Sequence, residues 1–321
     1  MNTQAGAARL IVSLAGLLLV LSSLAGASSP QSPPGQAAGA MGSSAPRIGL
    51  ALGSGGAAGL AHIAVLKAFD EAGQRPSRIA GSSIGAVIGA LYAAGLSGTE
   101  IEAMFAEFDG SGLELIGQLA SGENGISLTD MIDLDLDDGG LLDPEPFFDF
   151  LREHVDAREF SDLETPLVVV ATSYFSGESM AFTDGNLFEA LRASMAVPGL
   201  FQPVTRDDEI LIDGGISNPL PWDQLGNEVD FVVAVDVSGQ REPVEASTVP
   251  ANELLFKTFE LMQQSIIRER LKTDPPDLYL RPEVEGIRLL HFHRLSEILD
   301  QAQPAADRLR QVLQQLPESS P

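Results

Sequence analysis

Residues 78–94 read RIAGSSIGAVIGALYAA, a short apolar strand over Arg78–Gly81 that runs straight into a helix. The junction Gly81-Ser82-Ser83-Ile84-Gly85 fits G-x-S-x-G. Small residues on either side of Ser83 let strand and helix approach, so that its hydroxyl projects from a strained turn. The helix N-terminus below favours negative charge developing at that point. Ala86, Gly89, Ala90, Ala93 and Ala94 line the helix. Glycine is a poor helix former, so such a run implies close packing against neighbours.

Working outward, residues 47–59 read RIGLALGSGGAAG, a second apolar strand (Arg47–Leu52) that enters a glycine-rich loop. An amphipathic helix follows, with Leu60, Ile63, Ala64, Leu66, Ala68 and Phe69 as its apolar positions, and Gly73 closes it. Strand, helix, strand, helix at this spacing is a βαβ unit on a parallel sheet. Further strands are expected at Leu167–Thr172, Glu209–Ile212, Phe231–Val237 and Leu278–Leu280. Helices are expected near Pro144–His154, Leu187–Met195, Ala251–Leu271 and Arg294–Leu316, the last apolar at Leu295, Ile298, Leu299, Leu309, Val312 and Leu313. With no internal repeat, one α/β domain is the economical reading.

The chain has 321 residues, a formal net charge of −26, 44% hydrophobic residues and no cysteine. The length buries a sizeable core, and the apolar content excludes wholesale disorder. Without cysteine there is no disulfide, thiolate metal site or cysteine nucleophile. Four histidines (His62, His154, His291 and His293) are too few for a multi-histidine metal centre, and neither metal nor cofactor is expected. The acidic balance argues against nucleic acid and against tight docking on anionic lipid.

Arg9, the apolar run Leu10–Leu24 and Ala25-Gly26-Ala27 together describe a secretory signal peptide over residues 1–27, which predicts a periplasmic or secreted protein; an uncleaved N-terminal anchor is the alternative. Residues 28–46 are a Ser-, Pro- and Gly-rich tether. The main domain is expected over 47–240, with a cap-like insertion at about 110–142, and a mostly helical extension packs on it from 241–321. The acids Asp130, Asp133, Asp135, Asp137 and Asp138 lack the spacing of a calcium loop and read as a solvated face.

Three elements carry chemistry. Ser83 is the nucleophile candidate. Gly55 and Gly56 can turn successive N–H groups toward one point and hold an oxyanion, worth ~3–4 kcal/mol per donor; a plain tight turn or a phosphate cradle are the other readings of that loop. Asp213-Gly214-Gly215, after the apolar Ile210-Leu211-Ile212, places a carboxylate at a strand end, where such sheets bind ligands. Serine needs a base. The order Ser83, Asp213, His291 allows a triad, and a direct Ser83–Asp213 dyad is the alternative. His62 reads as a packed helix residue, and His154 as a cap at a helix end. A rival reading is a dinucleotide-binding oxidoreductase, because Gly53 to Ala58 satisfies G-x-G-x-x-A. The acid that fingerprint requires after the second strand is missing: Ala80-Gly81-Ser82-Ser83 stands there. A non-catalytic exported binding protein of the same fold is the other rival.

Taken together, Leu50 to Gly56, Gly59-Leu60-Ala61-His62-Ile63, Gly81 to Gly85, Ala193-Ser194-Met195-Ala196-Val197-Pro198 and Asp213-Gly214-Gly215 resemble the patatin-like phospholipase family, its bacterial acyl-hydrolase branch in particular. The resemblance spans most of Arg47 to Val237. It implies a three-layer α/β/α sandwich with a mainly parallel central sheet, and a serine acyl hydrolase acting on a lipid or small ester substrate. Transient contact with a membrane or micelle surface goes with that activity. By the same resemblance Ser83 is the nucleophile, Asp213 its direct partner, and the amides of Gly55 and Gly56 the oxyanion hole. No histidine is required, Gly53, Gly81, Gly85, Gly214 and Gly215 support the motifs, and Asn218 braces the site. Family members usually carry Arg or Lys before the last glycine of the loop, where this chain has Ala58. That departure bears on loop geometry and on contact with an anionic head group. Burial must raise the Asp213 pKa for it to act as a base, with Leu52 and Ile212 as sources of that burial. The acyl chain is expected against Leu113, Leu115 and Ile116.

Overall fold

A strand of Ile, Leu and Ala with no polar side chain is suited to a sheet covered on both faces, and Ile48–Leu52 is buried along its whole length. A computed structural model of the chain describes residues 46–108, 144–239 and 251–317. Its strands are β1 (Ile48–Leu52), β2 (Arg78–Ser82), β3 (Leu167–Ser173), β4 (Ser179–Phe182), β5 (Val204–Arg206), β6 (Glu209–Asp213), β7 (Phe231–Val235) and β8 (Leu278–Leu280). Its α-helices are α1 (Ala61–Glu71), α2 (Ile84–Ala93), α3 (Gly98–Glu107), α4 (Glu145–His154), α5 (Leu187–Ser194), α6 (Ala251–Leu271) and α7 (Leu295–Leu313).

The strands form one eight-stranded sheet along the path β5-β6-β3-β2-β1-β7-β8, with β4 on β3. From β3 to β8 the pairing is parallel; β4 and β6 meet β3 antiparallel, and β5 and β6 form a hairpin. The registers on β3 decide where the site lies. β4 pairs with Val169–Thr172, a span that overlaps the partners of both β2 (Leu167–Val170) and β6 (Ala171–Ser173). A strand has only two edges, so β4 holds one of them and β2 and β6 share the other, nose to nose. Ser82 stands opposite Val170 and Asp213 opposite Ala171. The residue after β2 and the last residue of β6 are thereby neighbours.

Period-two alternation sorts the core into layers. Ile48, Leu50 and Leu52 pack with residues of α1, α2 and α7. Ala51, Ala80, Val168, Val170 and Ala234 pack on the opposite face with Leu220, Trp222, Leu225 and Ile267 of α6. The result is the expected α/β/α sandwich around a mostly parallel sheet.

The expected strands and helices lie where the pattern places them, with ends within about three residues. β4, β5 and α3 have no counterpart among the expectations. α3 starts at a capping box: Ser97 Oγ accepts from Glu100 N, and the Glu100 carboxylate accepts from Ser97 N. The β5–β6 turn uses Asp207 and Asp208, both at positive φ (49° and 66°), where Asn-Gly is the usual pair. The strand expected over Phe231–Val237 ends at Val235, because the Asp236 carboxylate then accepts from Ser238 N and from Tyr279 Oη. The expected signal peptide (1–27), nearly all of the tether (28–46) and the cap-like insertion (110–142), with Leu113, Leu115, Ile116 and the acids at 130–138, lie outside the described residues.

Candidate active site

Ser83 directly follows β2 and is the N-cap of α2, at φ 55°, ψ −126°. For a residue with a Cβ this backbone costs on the order of 1–3 kcal/mol and persists only where the surroundings enforce it. Two bare backbones enforce it here. A Cβ on Gly81 would stand 2.5 Å from Ala86 Cα, and one on Gly85 would stand 2.3 Å from Leu52 O. Ser194, at the end of α5, supplies a third constraint: its Oγ accepts from Ser83 N at 2.8 Å and donates to Val170 O at 2.6 Å.

Asp213 is buried, and its carboxylate is fully engaged. One oxygen accepts from Ser83 Oγ at 2.6 Å, the other from Gly215 N at 2.7 Å. Its own amide donates to Ala196 O at 2.9 Å, and its carbonyl accepts from Thr172 Oγ1 at 2.8 Å. The two following glycines are required by contact: a Cβ on Gly214 would lie 2.1 Å from Val170 O, and one on Gly215 would lie 2.4 Å from Ser54 Oγ. Burial outweighs the hydrogen bonds from Ser83 and Gly215 and pushes the Asp213 carboxyl up to about 6. A carboxylate of that basicity can take a proton near neutral pH.

In the glycine loop, Gly53 N donates to Val235 O, Ser54 N to Pro219 O and Ala57 N to Leu289 O. Among the described residues this leaves the amides of Gly55 and Gly56, at the start of a 3-10 turn (Gly56–Leu60), without a backbone acceptor. Both glycines are forced by close approach, since their Cβ atoms would stand 2.3 Å from Val237 O and 2.5 Å from Leu289 Cδ1 respectively. They line the same cavity as Ser83 and Asp213. Its wall includes Met195, Leu200, Phe201, Phe256, Phe259 and Phe292, apolar side chains suited to a hydrocarbon chain.

Asn218 is buried behind the Asp213 turn. Its side-chain amide donates to Asp223 Oδ1 at 2.9 Å, its Oδ1 accepts from Arg270, and its backbone N–H donates to Gly214 O at 2.9 Å. It thus ties the turn to α6 and does not touch Ser83 or the Asp213 carboxylate. Arg270 also pairs with Asp223 at 2.5 Å and lies over the Trp222 ring.

The triad alternative through His291 is not what the structure builds. The Ser83–Asp213 hydrogen bond is direct, which leaves no place for an imidazole between them, and His291 Nδ1 accepts from Arg288 N. His154 Nδ1 bonds Phe150 O one turn back, at a helix end as expected. His62 is buried in α1, and its Nε2 donates to Gly53 O at 2.9 Å. Desolvation lowers its pKa to about 4, so the ring is neutral. The dinucleotide reading also fails. The place of its ribose-binding acid is the Ser83 turn, hydrogen-bonded to Asp213, and three of the loop amides a phosphate needs already bond backbone carbonyls.

Ser194 and the aromatic wall from α6 were not singled out as site residues from sequence. Ser194 lies in the Ala193–Pro198 stretch that carries the family resemblance, and a serine at the end of an apolar helix is the available signal. The Phe256/Phe259 pair at i, i+3 is readable as one face of α6.

The chain matches the patatin-like phospholipase family over residues 50–225. An uncharacterized NTE family protein of Mycobacterium tuberculosis is 37% identical over 199 residues, 62% of this chain and 51% of that protein. Patatin-like phospholipase domain-containing protein 6 of Homo sapiens is 28% identical over 280 residues, 79% of this chain and 19% of that protein. The chain therefore spans about half the length of the mycobacterial relatives it matches, and a smaller share of the mammalian ones. Among solved structures, VipD from Legionella pneumophila aligns at a TM-score of 0.44 and 16% identity, over 84% of this chain and 67% of that one. By the family match and the motifs that fill it, this chain belongs to the patatin-like phospholipase family.

Proposed function

We propose that the protein is a serine acyl hydrolase that cleaves lipid acyl esters through Ser83 and Asp213. The observation that carries this reading is the 2.6 Å hydrogen bond from Ser83 Oγ to a buried carboxylate on a strained turn that faces an apolar cavity. Asp213 takes the Ser83 proton as Oγ attacks the ester carbonyl. The resulting oxyanion accepts from the amides of Gly55 and Gly56. On collapse the C–O bond breaks, Asp213 returns its proton to the leaving alcohol, and Ser83 holds the acyl group as an ester. Water then attacks that ester, Asp213 takes the water's proton, and collapse releases the fatty acid and restores the Ser83 hydroxyl. The acyl chain occupies the Phe- and Leu-lined wall throughout.

The test is hydrolysis of a short p-nitrophenyl ester and of micellar phospholipid by the wild-type protein and by Ser83→Ala. Loss of roughly a thousand-fold or more in kcat on substitution is expected. Equal rates in the two proteins would remove Ser83 as nucleophile. A folded wild type inert toward both substrates would favour the non-catalytic binding protein. We also propose, from the Arg9-to-Ala27 pattern, that the protein is exported; N-terminal sequencing of protein from outside the cytoplasm should begin at Ser28.

A further inference from the structure

α6 is two-faced. Phe256, Phe259, Glu260 and Gln263 line the cavity at Ser83, while the exposed positions between 254 and 265 are Leu254, Leu255, Thr258, Leu261, Met262 and Ser265. The four large apolar side chains in that set are between 47% and 61% exposed. None of the six is charged, in a chain whose charged residues make up 20% of the total and whose net charge is −26. Charge returns to the exposed side only at Arg268 and Glu269. A second apolar point lies at the same edge of the sheet. β3 runs parallel to β2, so the turn after it emerges on the Ser83 side, and Tyr174 and Phe175 at that turn are 61% and 71% exposed.

We propose that this face of α6, aided by Tyr174 and Phe175, docks the protein on a lipid surface with zwitterionic or uncharged head groups. The inference rests on the acyl-ester reading above and adds how the substrate is reached. A helix with an uncharged apolar outer face lies in a lipid interface with that face buried. Anionic lipid is excluded by the protein's own charge. The outer face is also continuous with the site. Leu255 Cδ2 comes within 3.8 Å of a Cβ placed on Gly199, and Gly199 lies between the cavity-lining Pro198 and Leu200. The charged residues of α6 at this place, Lys257 and Glu260, are paired with each other at 3.1 Å, so an acyl chain leaving the surface beside α6 meets the apolar wall past an internally neutralised pair.

The absence of cysteine allows a site-specific test. Thr258→Cys in the full-length chain is labelled with an environment-sensitive fluorophore and mixed with phosphatidylcholine vesicles. A control label sits at Gln314→Cys, on the opposite edge of the sheet, where Gln74 before β2 reaches Leu313 O. The proposal expects a blue shift and at least a two-fold intensity gain at position 258 and none at 314. It expects at least ten-fold weaker partitioning when Leu254→Gln and Leu261→Gln are added, and weaker response to vesicles containing phosphatidylglycerol. A silent label at 258, an equal shift at 314, or unchanged partitioning of the double variant would overturn it. So would a shift that follows protein concentration without lipid, which would assign the face to a second copy of the chain. Soluble-ester turnover separates the two readings. The double variant should keep it within two-fold, whereas a wild type that partitions but hydrolyses nothing would sink the hydrolase reading and leave the docking result standing.

Discussion

Asp213 and His62 are two buried titratable groups whose effects on stability run in opposite directions. The Asp213 carboxyl sits at about 6 against an ordinary 3.8. The folded state therefore holds its proton more tightly, and the cost of ionising it grows as pH rises from about 4 to about 6, reaching roughly 3 kcal/mol above that window. Asp213→Asn should abolish turnover and yet raise the melting temperature at pH 8 and leave it nearly unchanged at pH 4, as calorimetry at the two pH values would show. In the wild type, kcat/KM should rise with pH through a single ionisation near 6. His62 sits at about 4 against 6.5. Its fold-stabilising neutral form is present above 6.5, and stability is lost as pH falls through that window toward 4. His62→Gln should flatten the acid limb of a stability–pH curve. Ser194→Ala leaves Ser83 N without its acceptor in a buried site. We expect about 1–3 kcal/mol of lost stability in a denaturant titration, with kcat falling at least ten-fold and KM little changed.

At the level of elements, the glycines differ in what they hold apart. Gly214→Ala drives a Cβ to 2.1 Å from Val170 O, a backbone atom in the middle of the sheet, so β6 must move and take Asp213 with it. Gly73 closes α1 at φ +63° with nothing within 4 Å of a Cβ, and Gly73→Ala meets only backbone strain of about 1 kcal/mol. Activity should be lost in the first variant and kept in the second, both assayed at matched folded concentration. The same contrast explains what could be read in the chain beforehand. The Ser83 turn, the glycine loop and the Asp213 turn were legible because each packs a rule into a few adjacent residues: small flanks, a strand before and a helix or tight turn after. The α3 capping box was there to read in Ser97-Gly98-Thr99-Glu100, but its helix has few buried positions, and the apolar pattern is faint. β4 was not legible, because four residues that alternate exposed Ser179 and Ala181 with half-buried Met180 and Phe182 make too short a run to stand out; its pairing with β3 is decided by tertiary context. Which histidine, if any, joins Ser83 was likewise undecidable from spacing, since it depends on how β2 and β6 share an edge of β3.

For the molecule as a whole, 45 acids against 19 Lys and Arg make self-repulsion a standing cost of compactness. Raising salt from about 0.01 M to about 1 M shortens the Debye length from roughly 30 to 3 Å, and the melting temperature should climb with it; a flat or falling response would mean the acids are neutralised locally. Two ion pairs reinforce the point: Arg47–Asp230 and Lys272–Glu269 have both partners about half exposed or more and are worth little individually. The meeting of β2 and β6 on β3 also has a kinetic meaning. Ser83 and Asp213 are 130 positions apart in sequence, and their union depends on long-range strand pairings, the contacts that form late because they close the largest loops. During refolding, helical signal should recover before esterase activity does. On the proposed acyl-ester activity, a newly made chain would be unable to attack its substrates until its last strands are in register, which would spare the lipids of the cell that synthesises it.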